Sequence, residues 1–173
     1  MRIGVVHGDD IGLEVIPECV KVIKAGAAKT GLDIELVNAP IGTEAHKKYG
    51  TTAPDETMDT LKTTAGWLYG PIGHAAYPRN DTTWMVPPIR KIFDLFASIK
   101  PVKSYPNIKS VHEDVDIVFL REVTEGMQSW DVVVAGTGEF RPNDEISIGS
   151  RVITRKGSNR VAREAFEVAR TRK

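Results

Sequence analysis

The chain has 173 residues, enough for a domain with a sizeable hydrophobic core. Its Lys and Arg residues equal its Asp and Glu residues in number, so the formal charge is zero. That balance argues against a general nucleic-acid binder, which usually carries a basic excess. Cys19 is the only cysteine, which excludes an internal disulfide and favours a reducing cytoplasm. No leader pattern or membrane-length apolar run is present, so we expect no signal peptide and no membrane partner.

The first seventy residues alternate between strand and helix patterns. Strands are predicted at 2–7, 33–38 and 66–69. A helix is predicted over 12–29, with Gly31 as its stop, and a shorter helix over 55–64. Because Pro17 is tolerated only in the first turn, we expect the longer helix to begin near 13–16. This alternation is typical of a parallel α/β sheet.

The remaining segments predict a different arrangement. A helix is predicted near 86–96, and a final helix over 158–172 carries an apolar stripe with Ser158 as its N-cap. Two more strands are predicted, at 98–103 and 115–120. The β-branched runs on either side of TGEFRPNDEISIG predict a long hairpin, or arm, over 131–156.

Three cations lie close to predicted strand and helix ends, where cations can converge on an anionic ligand. Arg90 and Lys100 fall in IRKIFDLFASIKP, and Arg121 directly follows the apolar run DIVFL. Arginine suits a carboxylate because its planar fork donates two parallel hydrogen bonds. The chain has 23 basic residues, most of which must be solvated, so the specificity of these three comes from the segments around them.

Two glycine-rich turns follow predicted strands, and each has two interpretations. HGDDIG (7–12) lets the backbone approach a ligand at a helix N-terminus, although it lacks both standard nucleotide fingerprints. The alternative is a plain βα turn with Asp9 or Asp10 near the helix dipole. GPIGH (70–74) is either a turn or a ligand contact that includes His74.

Four carboxylates flank the predicted strand at 115–120 without a recognisable metal or acid–base spacing. We expect them to be solvated or paired in salt bridges. They are Asp114, Asp116, Glu122 and Glu125.

Six segments carry a more specific signal when they are taken in order. They are HGDDIGLEVIPECVKVIKA, LYGPIG, IRKIFDLFASIKPVKSYP, VFLREVTEG, GTGEF and SRVITRKGSNRVAREAFEVAR. From residue 2 to the C-terminus, this series resembles the isocitrate/isopropylmalate dehydrogenase family. The resemblance implies an α/β fold with a mixed sheet and flanking helices. It also implies oxidative decarboxylation of a malate-type 2-hydroxy acid, such as 3-isopropylmalate, with NAD or NADP and Mg²⁺ or Mn²⁺.

The resemblance assigns substrate contacts to four residues. It implies that Arg90, Lys100 and Arg121 hold the malate carboxylates, with Lys100 standing where the family normally has arginine. Val86 lies four residues before Arg90, at the position that recognises the variable substituent of the substrate. An apolar valine there favours an alkyl or small group over a third carboxylate.

The resemblance also assigns a cofactor loop and a catalytic position. Ile72, Gly73 and His74 match the loop beside the nicotinamide cofactor. Gln128 occupies the position of the catalytic tyrosine of the family, seven residues after Arg121. An amide cannot deliver a proton as a phenol does.

The family continues, after its matching final helix, into a catalytic lysine and metal-binding aspartates. We therefore expect a fragment, with an incomplete first domain on the cofactor side (1–98) and part of a second domain (99–173). We expect two copies to form a homodimer through their second domains and arms. We expect this chain alone to be inactive. Two alternatives stay open, a catalytically dead scaffold or dimerisation module and a carboxylate-binding regulator. The hydroxy acid and the choice of NAD or NADP stay open as well.

Overall fold

The computed structural model describes residues 1–73, 89–127 and 138–172. The chain divides into two compact units, Met1–Pro87 and Pro88–Lys173. The predicted domain boundary at 98/99 falls inside a strand of the second unit, so the two domains stay a prediction. Among the described residues, no helix combines the length and the apolar character that crossing a membrane requires.

A parallel sheet forms the centre of the described part of the first unit. β1 (Arg2–Val6) lies between β2 (Glu35–Asn38) and β3 (Gly66–Tyr69), and both pairings are parallel. The strands therefore confirm the parallel α/β prediction, although β2 begins two residues later than 33. The side chains of Val5 and Val6 are buried at the carboxyl end of β1.

The helices of the first unit differ from prediction in two places. They are α1 (Gly12–Thr30), α2 (Thr43–Tyr49) and α3 (Asp55–Lys62). α1 begins at Gly12, before the predicted start, so Pro17 lies in the second turn, where it costs the hydrogen bond to the carbonyl of Leu13. Gly31 ends α1 as predicted, with φ 71°. α2 was not predicted from the sequence.

The second unit contains antiparallel strand pairs and two helices in its described residues. In chain order these are α4 (Ile89–Ile92), β4 (Ala97–Lys103), β5 (Asp116–Glu122), β6 (Glu139–Asn143), β7 (Ile146–Gly149) and α5 (Arg155–Arg170). β4 pairs with β5, and β6 pairs with β7 in a hairpin within the predicted arm. The α/β class is confirmed, with parallel strands in the first unit and antiparallel strands in the second.

The ends of both helices in the second unit differ from prediction. α4 ends at Ile92 instead of residue 96, and the chain turns at Asp94, whose φ is 49°. α5 begins at Arg155, and its N-cap is Thr154 rather than the predicted Ser158. The hydroxyl of Thr154 accepts a hydrogen bond from the Gly157 N–H at 3.0 Å, which satisfies a free donor of the first turn.

A small clamp closes the loop end of the β4–β5 pair. The Ser104 N–H donates to the carbonyl of Val115 at 2.9 Å, and the Val115 N–H donates to the hydroxyl of Ser104 at 2.8 Å. These two bonds extend the ladder beyond the last paired residues. The pairing register of β4 and β5 is therefore fixed before the chain enters the connecting loop.

Candidate functional site

Two of the three predicted substrate cations share a face of the β4–β5 pair. Arg121 lies opposite Ser98, and Lys100 lies opposite Phe119. Because side chains alternate along each strand, Ser98, Lys100 and Arg121 belong to the same face. Lys100 and Arg121 are diagonal neighbours there, a relation that typically spans about 7–8 Å and lies within reach of long side chains.

On the opposite face of this strand pair, α5 packs against β5. Val118 and Leu120 are half-buried and line a groove of about 380 Å³ together with Ala165, Val168, Ala169 and Arg172 of the helical segment. Lys100 and Arg121, in contrast, are exposed. The two cations therefore occupy the face of the strand pair that α5 leaves open.

Arg90 belongs to the same unit but to a different element. It lies on α4 and is exposed, and its carbonyl accepts a hydrogen bond from the Leu95 N–H at 2.6 Å. Within the described residues, Arg90, Lys100 and Arg121 form no salt bridge with a carboxylate. Three exposed cations without protein counter-ions are suited to an anionic ligand.

Behind the open face, one arginine of α5 connects two other segments. Arg160 donates to Asp94 at 2.7 Å, and through its other terminal nitrogen to Glu122 at 3.0 Å and to the hydroxyl of Thr124 at 2.5 Å. Its guanidinium carbon lies 4.5 Å from the ring centre of Phe96. The side chains of Arg160 and Glu122 are only 20% and 17% exposed.

The hydrogen bonds around Glu122 fix its charge state. Its carboxylate accepts from the N–H groups of Thr124 and Glu125, both at 2.8 Å. Burial alone raises the pKa of Glu122, but the hydrogen bonds from Thr124, Glu125 and Arg160 outweigh burial and hold the pKa below its ordinary value. Glu122 is therefore a structural anion, as expected for the carboxylates beside β5.

Glu125 ties the end of β5 to the start of α5. Its carboxylate accepts from the N–H of Thr154 at 2.9 Å and from the hydroxyl of the same residue at 2.6 Å. A Cβ on Gly157 would lie 2.5 Å from the Glu125 carboxylate, so a side chain at that point of the helix would require the carboxylate to move. The carboxylates of Glu122 and Glu125 thus organise the segment after Arg121 instead of facing a metal ion.

In the first unit, Asp9 locks the predicted cofactor loop to the turn after β1. Asp9 is 2% exposed. Its carboxylate accepts from the Thr43 N–H at 2.7 Å and from the Gly73 N–H at 2.9 Å, while its own N–H donates to the Pro71 carbonyl at 2.7 Å. The residue therefore caps the start of α2, not α1 as its place in the sequence suggested.

The two turns pack so closely that a side chain at Gly8 has no room. Gly8 adopts φ 71°, and a Cβ there would lie 2.1 Å from the carbonyl oxygen of Pro71. The backbone contact with Pro71 explains why residue 8 is glycine, so no ligand is needed to account for it. Ile72 and Gly73 are half-exposed at the carboxyl end of the sheet, the edge where ligands of open α/β sheets bind.

Three predicted site residues lie outside the described residues: His74, Val86 and Gln128. Their predicted roles stay predictions. Within residues 1–73, 89–127 and 138–172, no group of three or more His, Cys, Asp or Glu side chains is placed to hold a metal ion.

The model of the isocitrate/isopropylmalate dehydrogenase family matches residues 2–173. The chain belongs to this family. It is 37% identical over 172 residues to the 3-isopropylmalate/3-methylmalate dehydrogenase of Methanocaldococcus jannaschii, covering 99% of this chain and 46% of the relative. It is 33% identical over 181 residues to the homoisocitrate dehydrogenase of the same organism, covering 98% and 48%.

A solved structure agrees with this assignment. The isocitrate dehydrogenase of Methylococcus capsulatus superposes with a TM-score of 0.77 at 32% identity, covering 98% of this chain and 48% of that one. The chain thus spans about half the length of the isocitrate/isopropylmalate dehydrogenase relatives that it matches.

Sequence reasoning missed Arg160 and Thr154. No role was predicted for Arg160, which follows the buried Gly157 by three residues and precedes the half-buried Val161. A charged residue inside the stripe that faces the sheet is the signal that points to a buried pairing role. Thr154 was assigned to the arm, four residues before the predicted cap.

Proposed function

We propose that this chain carries the substrate-carboxylate site of a dehydrogenase that oxidises and decarboxylates a malate-type 2-hydroxy acid. The observation that carries the proposal is the pairing register of β4 and β5, which puts Lys100 and Arg121 on one face where neither forms a salt bridge with another described residue. The names of the relatives, 3-isopropylmalate/3-methylmalate and homoisocitrate dehydrogenase, support the substrate class.

Each cation has a distinct role in this proposal. Arg121 binds one carboxylate through two parallel hydrogen bonds, while Lys100 contributes a point charge to the second. Arg90 approaches from α4 and closes the carboxylate clamp. An ammonium orients its partner less strictly than a guanidinium, so we expect Lys100 to contribute affinity more than orientation. Val86 contacts the substituent that distinguishes one hydroxy acid from another.

NAD or NADP is the hydride acceptor of the proposed reaction. The residues present fit a planar ring, because Ile72 is half-exposed and apolar while Gly73 presents bare backbone beside it. Ile72, Gly73 and His74 would hold the nicotinamide end, and Asp9 keeps Gly73 in place. Gln128 is able to orient the substrate by hydrogen bonding, and the proton comes from another group.

The divalent metal of the proposed enzyme has no ligand set among the described residues. We therefore expect the 173-residue chain alone to show no dehydrogenase activity. The cytoplasmic location favoured by the single, unpaired Cys19 belongs to the same proposal.

D-Malate is a suitable probe of the carboxylate site, because it carries the two carboxylates and little else. We expect it to shift the amide resonances of β4 and β5 in a titration of this chain. Arg121→Met and Lys100→Met should each weaken binding by about tenfold, as expected for a lost charge-assisted contact. Unchanged affinity in both variants would refute the proposed site.

Lys103→Met is the matched control for Lys100→Met. Lys103 is on the same strand, but it belongs to the face that α5 covers, where its ammonium lies 3.6 Å from the carboxylate of Asp116. The control removes the same charge from the same strand, so a general electrostatic effect would weaken binding in both variants. A local site predicts loss in Lys100→Met alone.

The exposed hairpin favours a second role, assembly of two copies. Phe140 lies opposite Ile148 in the β6–β7 pair, and Ile146 shares the same face by alternation. These three side chains are 43–55% exposed. An isolated two-stranded hairpin is marginal in water, so we propose that this face is covered by the same segment of a second copy in a symmetric dimer.

Sedimentation at micromolar concentration tests this assembly. We expect a dimer for the wild-type chain and a monomer for Ile148→Asp, which introduces a charge into the apolar face. Ser147→Asp changes the neighbouring residue on the other face and should leave the dimer intact. A wild-type monomer with an ordered hairpin would rule the assembly out.

A further inference from the structure

We propose that Arg160 is a positioning residue for the carboxylate site. Its guanidinium fixes the segment that carries Arg90 relative to the strand end that carries Arg121. This inference rests on the proposed function of those two cations. It concerns the second unit only, in which all three arginines lie.

The guanidinium of Arg160 uses its two terminal nitrogens in two directions. One donates to Asp94, in the turn after α4, at 2.7 Å. The other donates to Glu122 at 3.0 Å and to the hydroxyl of Thr124 at 2.5 Å, both at the end of β5. A planar fork holds both partners in one plane, so their separation is set by the geometry of a single side chain.

The first direction leads to Arg90 through one short turn. Asp94 donates its N–H to the carbonyl of Lys91 at 3.1 Å, and Leu95 donates its N–H to the carbonyl of Arg90 at 2.6 Å. Asp94 itself adopts φ 49°, a backbone conformation that is uncommon for residues other than glycine. A contact that holds Asp94 in that conformation therefore holds the turn, and with it the backbone of Arg90.

The second direction leads to Arg121 through its neighbour. Glu122 follows Arg121 on β5, so the two side chains belong to opposite faces of the strand. The carboxylate of Glu122 is bound by Arg160 on the α5 side, while Arg121 belongs to the open face. Fixing Glu122 therefore fixes the pleat from which Arg121 extends.

One feature argues that Arg160 does more than stabilise the fold. Among the described residues, its buried Nε has no hydrogen-bond partner. A buried donor without a partner lowers stability. Arg160 thus keeps its two terminal nitrogens on Asp94 and Glu122 although the unpaired Nε lowers stability. We expect such a cost where the distance between Asp94 and Glu122 is important for the ligand site.

Asp94→Gly separates positioning from stability. The variant removes one partner of the fork, and glycine adopts φ 49° without strain, so folding is not penalised at this residue. The side chain of Asp94 is also 75% exposed, so its ion pair with Arg160 contributes little to stability. We expect an unchanged or higher urea midpoint together with D-malate affinity reduced about tenfold, because small misplacements of binding groups weaken binding strongly.

Arg160→Lys provides the second variant. A lysine keeps the charge, but one ammonium cannot bridge Asp94 and Glu122 in the same geometry. We expect the D-malate affinity to fall here as well. In the ligand-free protein, we expect the Leu95 and Thr124 amides to exchange with solvent at least fivefold faster. Arg163→Lys, at an exposed position one turn further along α5, should change neither quantity.

The possible outcomes are distinct. If wild-type protein binds D-malate and neither Asp94→Gly nor Arg160→Lys weakens binding, the positioning role of Arg160 is wrong while the carboxylate site stands. If affinity falls only in proportion to a fall in stability, Arg160 is merely structural and the proposal is overturned. If wild-type protein does not bind D-malate, the proposed carboxylate site fails and this inference fails with it.

Discussion

In the first unit a buried carboxylate joins separate segments through backbone N–H groups, whereas in the second unit an arginine joins separate segments through side chains. Asp9 accepts hydrogen bonds from the N–H groups of Thr43 and Gly73. Arg160 donates to the side chains of Asp94 and Glu122. Both residues connect a loop that carries proposed ligand contacts to a distant part of its own unit.

The two arrangements depend on different parts of the sequence. A carboxylate that binds backbone N–H groups needs close approach, and a Cβ at Gly42 would lie only 2.7 Å from the Asp9 carboxylate. The backbone that approaches Asp9 must therefore carry a small residue at Gly42, but the N–H donors need no functional side chain. An arginine that binds side chains needs particular carboxylates and hydroxyls at particular positions. Substitutions of glycine should therefore disrupt the contacts of Asp9, and substitutions of charged residues should disrupt those of Arg160.

Asp9→Ala should have the largest effect, because it leaves two half-buried N–H donors without their acceptor. We expect the free energy of unfolding of the first unit to fall by about 3 kcal/mol, the sum of two modest desolvation penalties. Urea unfolding followed by circular dichroism measures this change. Glu14→Gln, an exposed acidic residue in the first turn of α1, is the control and should stay within about 0.5 kcal/mol of wild type.

An Asp9→Ala protein as stable as wild type would show that the hydrogen bonds from Thr43 and Gly73 to Asp9 do not hold these segments together. Amide exchange at Gly73 and Thr43 gives an independent reading. Both amides should exchange faster in Asp9→Ala and remain protected in Glu14→Gln.

Thr154→Ala should have an intermediate effect, because it removes the cap of α5 and one hydrogen-bond donor to Glu125. We expect a loss of about 1 kcal/mol in the free energy of unfolding, the usual cost of an N-cap threonine. Ser158→Ala is the matched control. Ser158 lies inside the helix, where alanine is the better helix former, so that variant should be neutral or slightly stabilising. The reverse order would mean that the helix begins at residue 158 after all.

Asp116→Asn should have the smallest effect, because the ion pairs of Asp116 are exposed. The hydrogen bond from Arg172, with a lesser contribution from Lys103, holds the pKa of Asp116 below its ordinary value of 3.8. A lowered pKa contributes stability above the ordinary value, and this contribution is lost as the pH falls through the folded value. Wild type should therefore exceed Asp116→Asn in stability at pH 6, and the difference should vanish in stronger acid.

The same comparison at 1 M salt sharpens the test. Screening weakens contacts between exposed charges, so the difference between wild type and Asp116→Asn at pH 6 should shrink. A difference that persists in both salt and acid would mean that the charge of Asp116 is not the source of its effect.

Local patterns were sufficient to predict most of the elements. β1, β3 and α1 have strong apolar periodicity or clear stops, such as Gly31, and were predicted to within one or two residues. α2 was missed because its sequence, TEAHKKY, has a single buried residue, Ala45, and no apolar stripe. Its start is capped by Asp9, which is 34 residues away in sequence, and no local pattern reports such a contact.

The candidate site was predicted in part. The family segments predicted Lys100 and Arg121 as substrate contacts, and that role stays a prediction. Their common face depends on the β4–β5 register, which no single segment encodes. The cap of α5 was misassigned because Ser158 is a good cap residue that lies shortly before the apolar stripe. The true cap, Thr154, is selected by a tertiary contact with Glu125.

The clamp formed by Ser104 and Val115 has a consequence for how related chains can differ in length. Residues 105–114 lie outside the clamp, so insertions or deletions there change the loop without moving the strands. A single inserted residue on the strand side would exchange the two faces of β5, turning Arg121 toward α5 and Leu120 toward solvent. Natural variation in length should therefore accumulate in 105–114 and stop abruptly at Ser104 and Val115.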